Sequence, residues 1–267
     1  MEEVQSTPVN PLLLKLRMPG ATFKLPSQGL FYENNELSPD VKFGEVEVYP
    51  MTAMDEIIFS TPDKLLSGKA IAEVFSRCIP QILNPYGLLS KDVDYLMICL
   101  RMVSFEAMMT VLHTHDCDNA KRHSYEVDLN QMLRDSKQVD PTTLKEEYTV
   151  ILPNGQVVTL KPLTYQHVVD LYQTTALTKR NQLSEEEAMK LIVETLCGVI
   201  KSVDSTSDRD QIREWVLSLP LGWKKKIEQT AQKSSHWGVD GIVKKVCLDC
   251  NQPIDLYINA NPVSFFT

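Results

Sequence analysis

Residues 44–52 read GEVEVYPMT and residues 155–164 read GQVVTLKPLT. Both alternate apolar and polar residues at the period-two spacing of a half-buried strand, then reach a proline, a hydrophobe and a threonine. An extended segment precedes each run, TFKLPSQGLFY at 22–32 and EYTVILPNG at 147–155. In the second case Asn154-Gly155 separates TVIL from QVVTL, the pairing of residues that a tight hairpin turn requires. Both runs hand over to helix. Thr52 with Asp55, and Ser184 with Glu187, stand at helix-capping spacing.

The helical patterns that follow are alike. Ile71, Val74, Phe75, Cys78 and Ile79 form one apolar stripe, and Ala188, Leu191, Ile192, Leu196 and Val199 form another. Asp92 to Val103 is apolar nearly all round and reads as a buried central helix. Its counterpart is Asp208 to Leu219, stopped by Pro220. Each half then closes with a polar knuckle and a β-prone segment, HTHDCDNAKRHSYEVDL (113–129) and VCLDCNQPIDLYI (246–258). The expected fold is α+β: two similar units, each a β-hairpin, a helical cluster and a closing knuckle-plus-strand. The expected boundaries are an N-terminal arm at 1–22, a first unit at 23–138 and a second at 139–267 that ends in the Cys-x-x-Cys knuckle. The arm carries Leu12, Leu13 and Leu14 among prolines and reads as an extended segment with an apolar anchor.

The chain has 267 residues, 43% hydrophobic and 23% charged, which is ordinary globular usage. A net charge of −8 argues against general duplex binding, which needs a broad cationic footprint. No apolar run reaches a membrane-spanning length; LMICLRM is broken by Arg101. The start, MEEVQST, lacks the cationic and apolar regions of a signal peptide, so an intracellular, soluble protein is expected.

Of six cysteines, Cys78, Cys99 and Cys197 sit in apolar helical patterns and read as small buried hydrophobes. Cys247 and Cys250 form a Cys-x-x-Cys pair, half of a tetrahedral metal site. Cys117 with His115 would complete the four ligands of a structural zinc if the two knuckles meet in the fold. A local site among His113, His115, Cys117 and His123 is the alternative ligand set, and plain turns with reduced thiols are the alternative without metal. A redox pair finds no support, because Leu248 and Asp249 offer no electropositive setting. Nothing assembles a nucleophile, a base and an oxyanion site, so an enzyme is not expected. His167 reads as a cap or surface histidine, and Asp92 and Asp94 read as first-turn charges that favour the helix dipole. The stretch 222–245 carries six lysines interleaved with tryptophans. Trp223, Lys224, Lys225, Lys226 and Trp237 are its candidate partner contacts, with a solvated helix face as the alternative.

The segments FKLPSQGLFY, GEVEVYPMTAMDE, TPDKLLSGKAIAEVFSRCIP and LLSKDVDYLMICLRMVSF, with the ending CLDCNQPIDLYINANPVSFF, resemble the baseplate hub assembly proteins of T-even-type contractile-tailed phages. The resemblance implies a non-enzymatic role in building the tail baseplate, as hub component or as assembly factor and chaperone. Its implied partners are hub and tape-measure proteins, met in the host cytoplasm during tail assembly. A zinc-ribbon nucleic-acid-binding regulator is the alternative that the knuckles and the lysine stretch suggest.

Overall fold

The computed structural model describes residues 19–33, 35–117, 121–179, 184, 193–258 and 265–266. Strand β1 (Ala21–Lys24) pairs antiparallel with β2 (Glu45–Val48). Along β2, Val46 and Val48 are fully buried while the intervening glutamates face solvent, as period-two alternation dictates. Helix α1 (Ala53–Phe59) starts at the expected cap: the Asp55 carboxylate accepts the Thr52 N–H at 2.8 Å and its hydroxyl at 2.6 Å. Asp55 is 1% exposed and also meets the Arg77 guanidinium at 2.5 Å. Helices α2 (Pro62–Leu66) and α3 (Lys69–Cys78) follow. Helix α4 (Ser90–Ser104) buries Val93, Tyr95, Leu96, Met97, Ile98, Cys99 and Leu100, so it is surrounded on nearly all sides. Strands β3 (Met108–Thr114) and β4 (Arg122–Asp128) then form a seven-pair antiparallel ribbon, followed by α5 (Leu129–Arg134).

After a short helix α6 (Leu144–Glu147), β5 (Thr149–Ile151), β6 (Val157–Leu160) and β7 (Ile200–Val203) make a three-stranded antiparallel sheet in that order. Gly155 has φ +87° in the β5–β6 turn, a conformation that the Asn-Gly pair supplies without strain. Helix α7 (Tyr165–Lys179), helical residues 193–199 (α8), α9 (Arg209–Leu217) and α10 (Leu221–Lys233) complete this part. Asp208 caps α9 by accepting the amides of Asp210 and Gln211. The expected stripe at Ala188, Leu191 and Ile192 lies outside the described residues; its later members Leu196 and Val199 are buried. A final antiparallel hairpin joins β8 (Ile242–Val246) to β9 (Pro253–Tyr257).

Among the described residues, two main hydrophobic cores hold these elements. The second gathers Val150, Leu152, Val158, Leu160, Ile200, Ile212, Val216 and Ile227. The first is discontinuous in sequence. It runs from Leu25 to Met132, takes Tyr165 and Val169 from α7, and then recovers Val239, Cys247, Ile254, Leu256, Phe265 and Phe266 from the end of the chain. Packing therefore departs from the linear boundary expected between 138 and 139. The C-terminal hairpin has one apolar face, and that face is covered by the first core, not the second. One crossing between the cores is a neck where Lys137 and Gly238 exchange two backbone hydrogen bonds, at 3.1 and 2.7 Å; α7 makes another through Tyr165 and Val169. Leu89, Val139 and Trp237 form a small third cluster beside the neck.

Candidate metal centre

The β8–β9 hairpin turns through Cys247-Leu248-Asp249-Cys250. The Cys247 N–H donates to the Gln252 carbonyl at 2.8 Å, and the Asn251 N–H donates back to the Cys247 carbonyl at 2.9 Å. Asn251 takes φ +57°, the left-handed conformation that asparagine tolerates better than most residues. This winding aims amides at a sulfur. The Cys247 thiol is lowered to about 6, first by the Cys250 backbone N–H, against burial, and further by the Asp249 N–H and by the Cys250 and His115 side chains. The contrast with Cys78 is direct: burial first, and then the neighbouring Asp55 charge, push that thiol up to about 12 against Arg77.

The β3–β4 ribbon brings His115 and Cys117 to the same place. Donor atoms of His115, Cys117, Cys247 and Cys250 all lie within 4.8 Å of one another, and His115 Nδ1 is 3.4 Å from the Cys250 sulfur. Tetrahedral zinc with bonds of roughly 2.0–2.3 Å holds its donors about 3.5–3.8 Å apart, so small side-chain rotations suffice to close the cluster on an ion. Three thiols and one imidazole form a soft donor set, suited to zinc and unsuited to magnesium or calcium. The cluster can thus hold a metal ion. Its members are those that the joint arrangement of the two knuckles requires. His113 and His123 of the local alternative are placed otherwise, directly opposite each other across the ribbon and each edge-on to Tyr125.

Asp249, Lys121 and Tyr125, none of them a candidate ligand in the sequence, hold the knuckle against the ribbon together with His123. Asp249 Oδ2 lies 2.8 Å from His123 Nε2 and accepts the Lys121 N–H at 3.2 Å. Burial works against the Asp249 charge, but these bonds hold its carboxyl below the usual range. The Leu248 N–H reaches the Tyr125 hydroxyl at 3.4 Å. The available signal was an acid placed between two cysteines and an asparagine just after them; such groups commonly orient metal ligands.

Elsewhere the expected functional residues divide. Trp237 is 6% exposed and donates its indole N–H to the Tyr148 hydroxyl at 2.9 Å, so it is a packing residue. Trp223 is half-buried against the second core. Lys224 lies 3.6 Å from Glu228, Lys226 donates to the Ile151 carbonyl at 2.6 Å, and Lys225 is exposed. His167 caps α7 through the Thr164 hydroxyl at 2.6 Å, and burial lowers its pKa. Asp92 stands in the first turn of α4, where the sequence reading puts it, and is in addition wholly buried, accepting the Ser27 N–H at 3.0 Å and the Tyr32 hydroxyl at 2.7 Å.

Fold and site together describe a protein whose polar centre ties distant chain segments to one another. Residues 18–267 match the family model described as T4 bacteriophage base plate protein, and the chain belongs to that family. No curated protein and no solved structure matches it. Among the described residues no helix is long and apolar enough to cross a membrane.

Proposed function

We propose that this baseplate protein is a non-enzymatic assembly protein of the baseplate hub, a chaperone or assembly factor for hub and tape-measure proteins that can also remain as a hub component. The observation that carries this reading is the family match across nearly the whole chain. Large exposed hydrophobes support it: Phe43, Leu217, Leu221 and Tyr257 are 67–83% exposed, which suits a protein that later buries surface against partners. Its partners are other components of the same tail, met first in the host cytoplasm and then in the baseplate. Trp223, Lys225 and Lys226 remain the contacts to test for an acidic partner surface. The His115, Cys117, Cys247 and Cys250 cluster holds a structural zinc in this reading. The nucleic-acid alternative is not carried forward, because Trp237 is buried and the charge is −8.

Quantitative mass spectrometry of mature particles beside assembly intermediates tests the proposal. A whole-number ratio to known baseplate subunits in mature particles makes the chain a hub component. Presence only in intermediates, bound to hub or tape-measure proteins, makes it a chaperone. Absence from both refutes the assignment.

A further inference from the structure

We infer that the metal centre is the latch of the discontinuous first core, so that metal loading controls whether the C-terminal hairpin is seated. The inference deepens the structural-zinc reading above and rests on it. Two ligands, His115 and Cys117, follow β3; the other two, Cys247 and Cys250, lie in the β8–β9 turn. An ion held by all four joins segments that are separated in sequence by the whole second core.

Among the described residues, the polar contacts between the two ribbons concentrate at this point. Asp249 with His123 and Lys121, Leu248 with Tyr125, and Cys250 with His115 all involve the four-residue knuckle. Away from it, the hairpin is held by apolar contact, with Ile254 and Leu256 in the first core. Phe266 lies on Phe59 with ring centroids 4.9 Å apart, and the Arg101 guanidinium stands over the Phe265 ring. An ion bound only in the seated arrangement suppresses opening by the factor one plus the ratio of free zinc to its dissociation constant. At free zinc 100 times its dissociation constant, metal-coupled opening is suppressed about 100-fold. The second core contributes no ligand to the cluster, and its sheet and helices α9 and α10 pack on their own apolar residues. Metal loss therefore unseats the hairpin selectively.

Amide hydrogen exchange on the full-length protein tests this, run zinc-loaded and again after chelation, with zinc content measured by elemental analysis. The expected result is exchange about 100-fold faster across 242–257 and in the facing ribbon 108–128, little change across 149–160 and 209–233, and recovery when zinc is restored. Unchanged exchange at 242–257 in protein shown to bind and lose zinc overturns the latch alone. Uniform acceleration in both cores overturns it too, because the ion would then be a global folding element. Failure to take up zinc at all overturns the metal reading beneath it. Cys250→Ser is the direct variant. Should it fail to fold, Asp249→Asn keeps all four ligands while loosening the knuckle from β4. It is expected to retain zinc yet exchange faster at 242–257 than the parent; parent-like exchange there counts against the latch.

Discussion

Asp92 makes the stability of this protein depend on pH in a direction opposite to that of most carboxylates. Its side chain, in the first turn of α4, is fully buried and its folded pKa is raised to about 6 by desolvation, despite the hydrogen bonds from Ser27 and Tyr32. An unfolded aspartate titrates near 3.9, so the shift is about 2 units, or about 3 kcal/mol at ~1.36 kcal/mol per unit. Between these values the native state binds more protons than the unfolded state. The contribution is therefore fully present below about pH 4 and is lost as pH rises through about 6. Asp92→Asn removes the titration while retaining one carbonyl acceptor for the Ser27 amide. Urea unfolding followed by far-ultraviolet circular dichroism, on parent and variant from pH 4 to pH 7.5, isolates this group from carboxylates such as Asp55 that titrate in the opposite sense. The parent is expected to lose about 3 kcal/mol relative to the variant across the window. Parallel stability curves would refute the argument, since they would mean that the carboxylate is solvated in the folded protein.

Cys247→Ser is expected to abolish stoichiometric zinc retention, read by elemental analysis after gel filtration, because it removes the thiol toward which the knuckle amides point. Gly198→Ala is expected to lower stability by about 1–3 kcal/mol in thermal melting, because a Cβ there would stand 2.3 Å from the His167 ring, which Thr164 holds in place. Melting at the parent temperature would show that the ring moves aside freely. Trp237→Phe deletes the indole donor to Tyr148 and is expected to cost about 1–2 kcal/mol in the same assay; a neutral outcome would mean that the neck is not tightly packed.

The features legible in the sequence are local or chemically specific. Alternation at Val46 and Val48, the Thr52–Asp55 cap and the Asn154-Gly155 turn depend on neighbours a few residues away, so spacing suffices to read them. The meeting of His115 and Cys117 with Cys247 and Cys250 was legible for a different reason: half of a tetrahedral ligand set implies the other half. The burial of Asp92 was not, because Ser27 and Tyr32, which satisfy it, lie 65 and 60 residues upstream. Trp237 stands among lysines in sequence but finds Tyr148 from another element. The discontinuous core was hidden for the same reason. Nothing in the pattern of Ile254 and Leu256 says which of two apolar faces will cover them.

The neck at Lys137 and Gly238 also sets a timetable for synthesis on the ribosome. At roughly 5–20 residues per second, the roughly 100 residues between these two positions take about 5–20 s to emerge. For that interval Leu100, Val127 and Leu129 are already translated, while Ile254, Leu256, Phe265 and Phe266, which share their core, do not yet exist. The nascent first half must wait with part of its interior uncovered, and codon choice across the intervening stretch governs how long that exposure lasts.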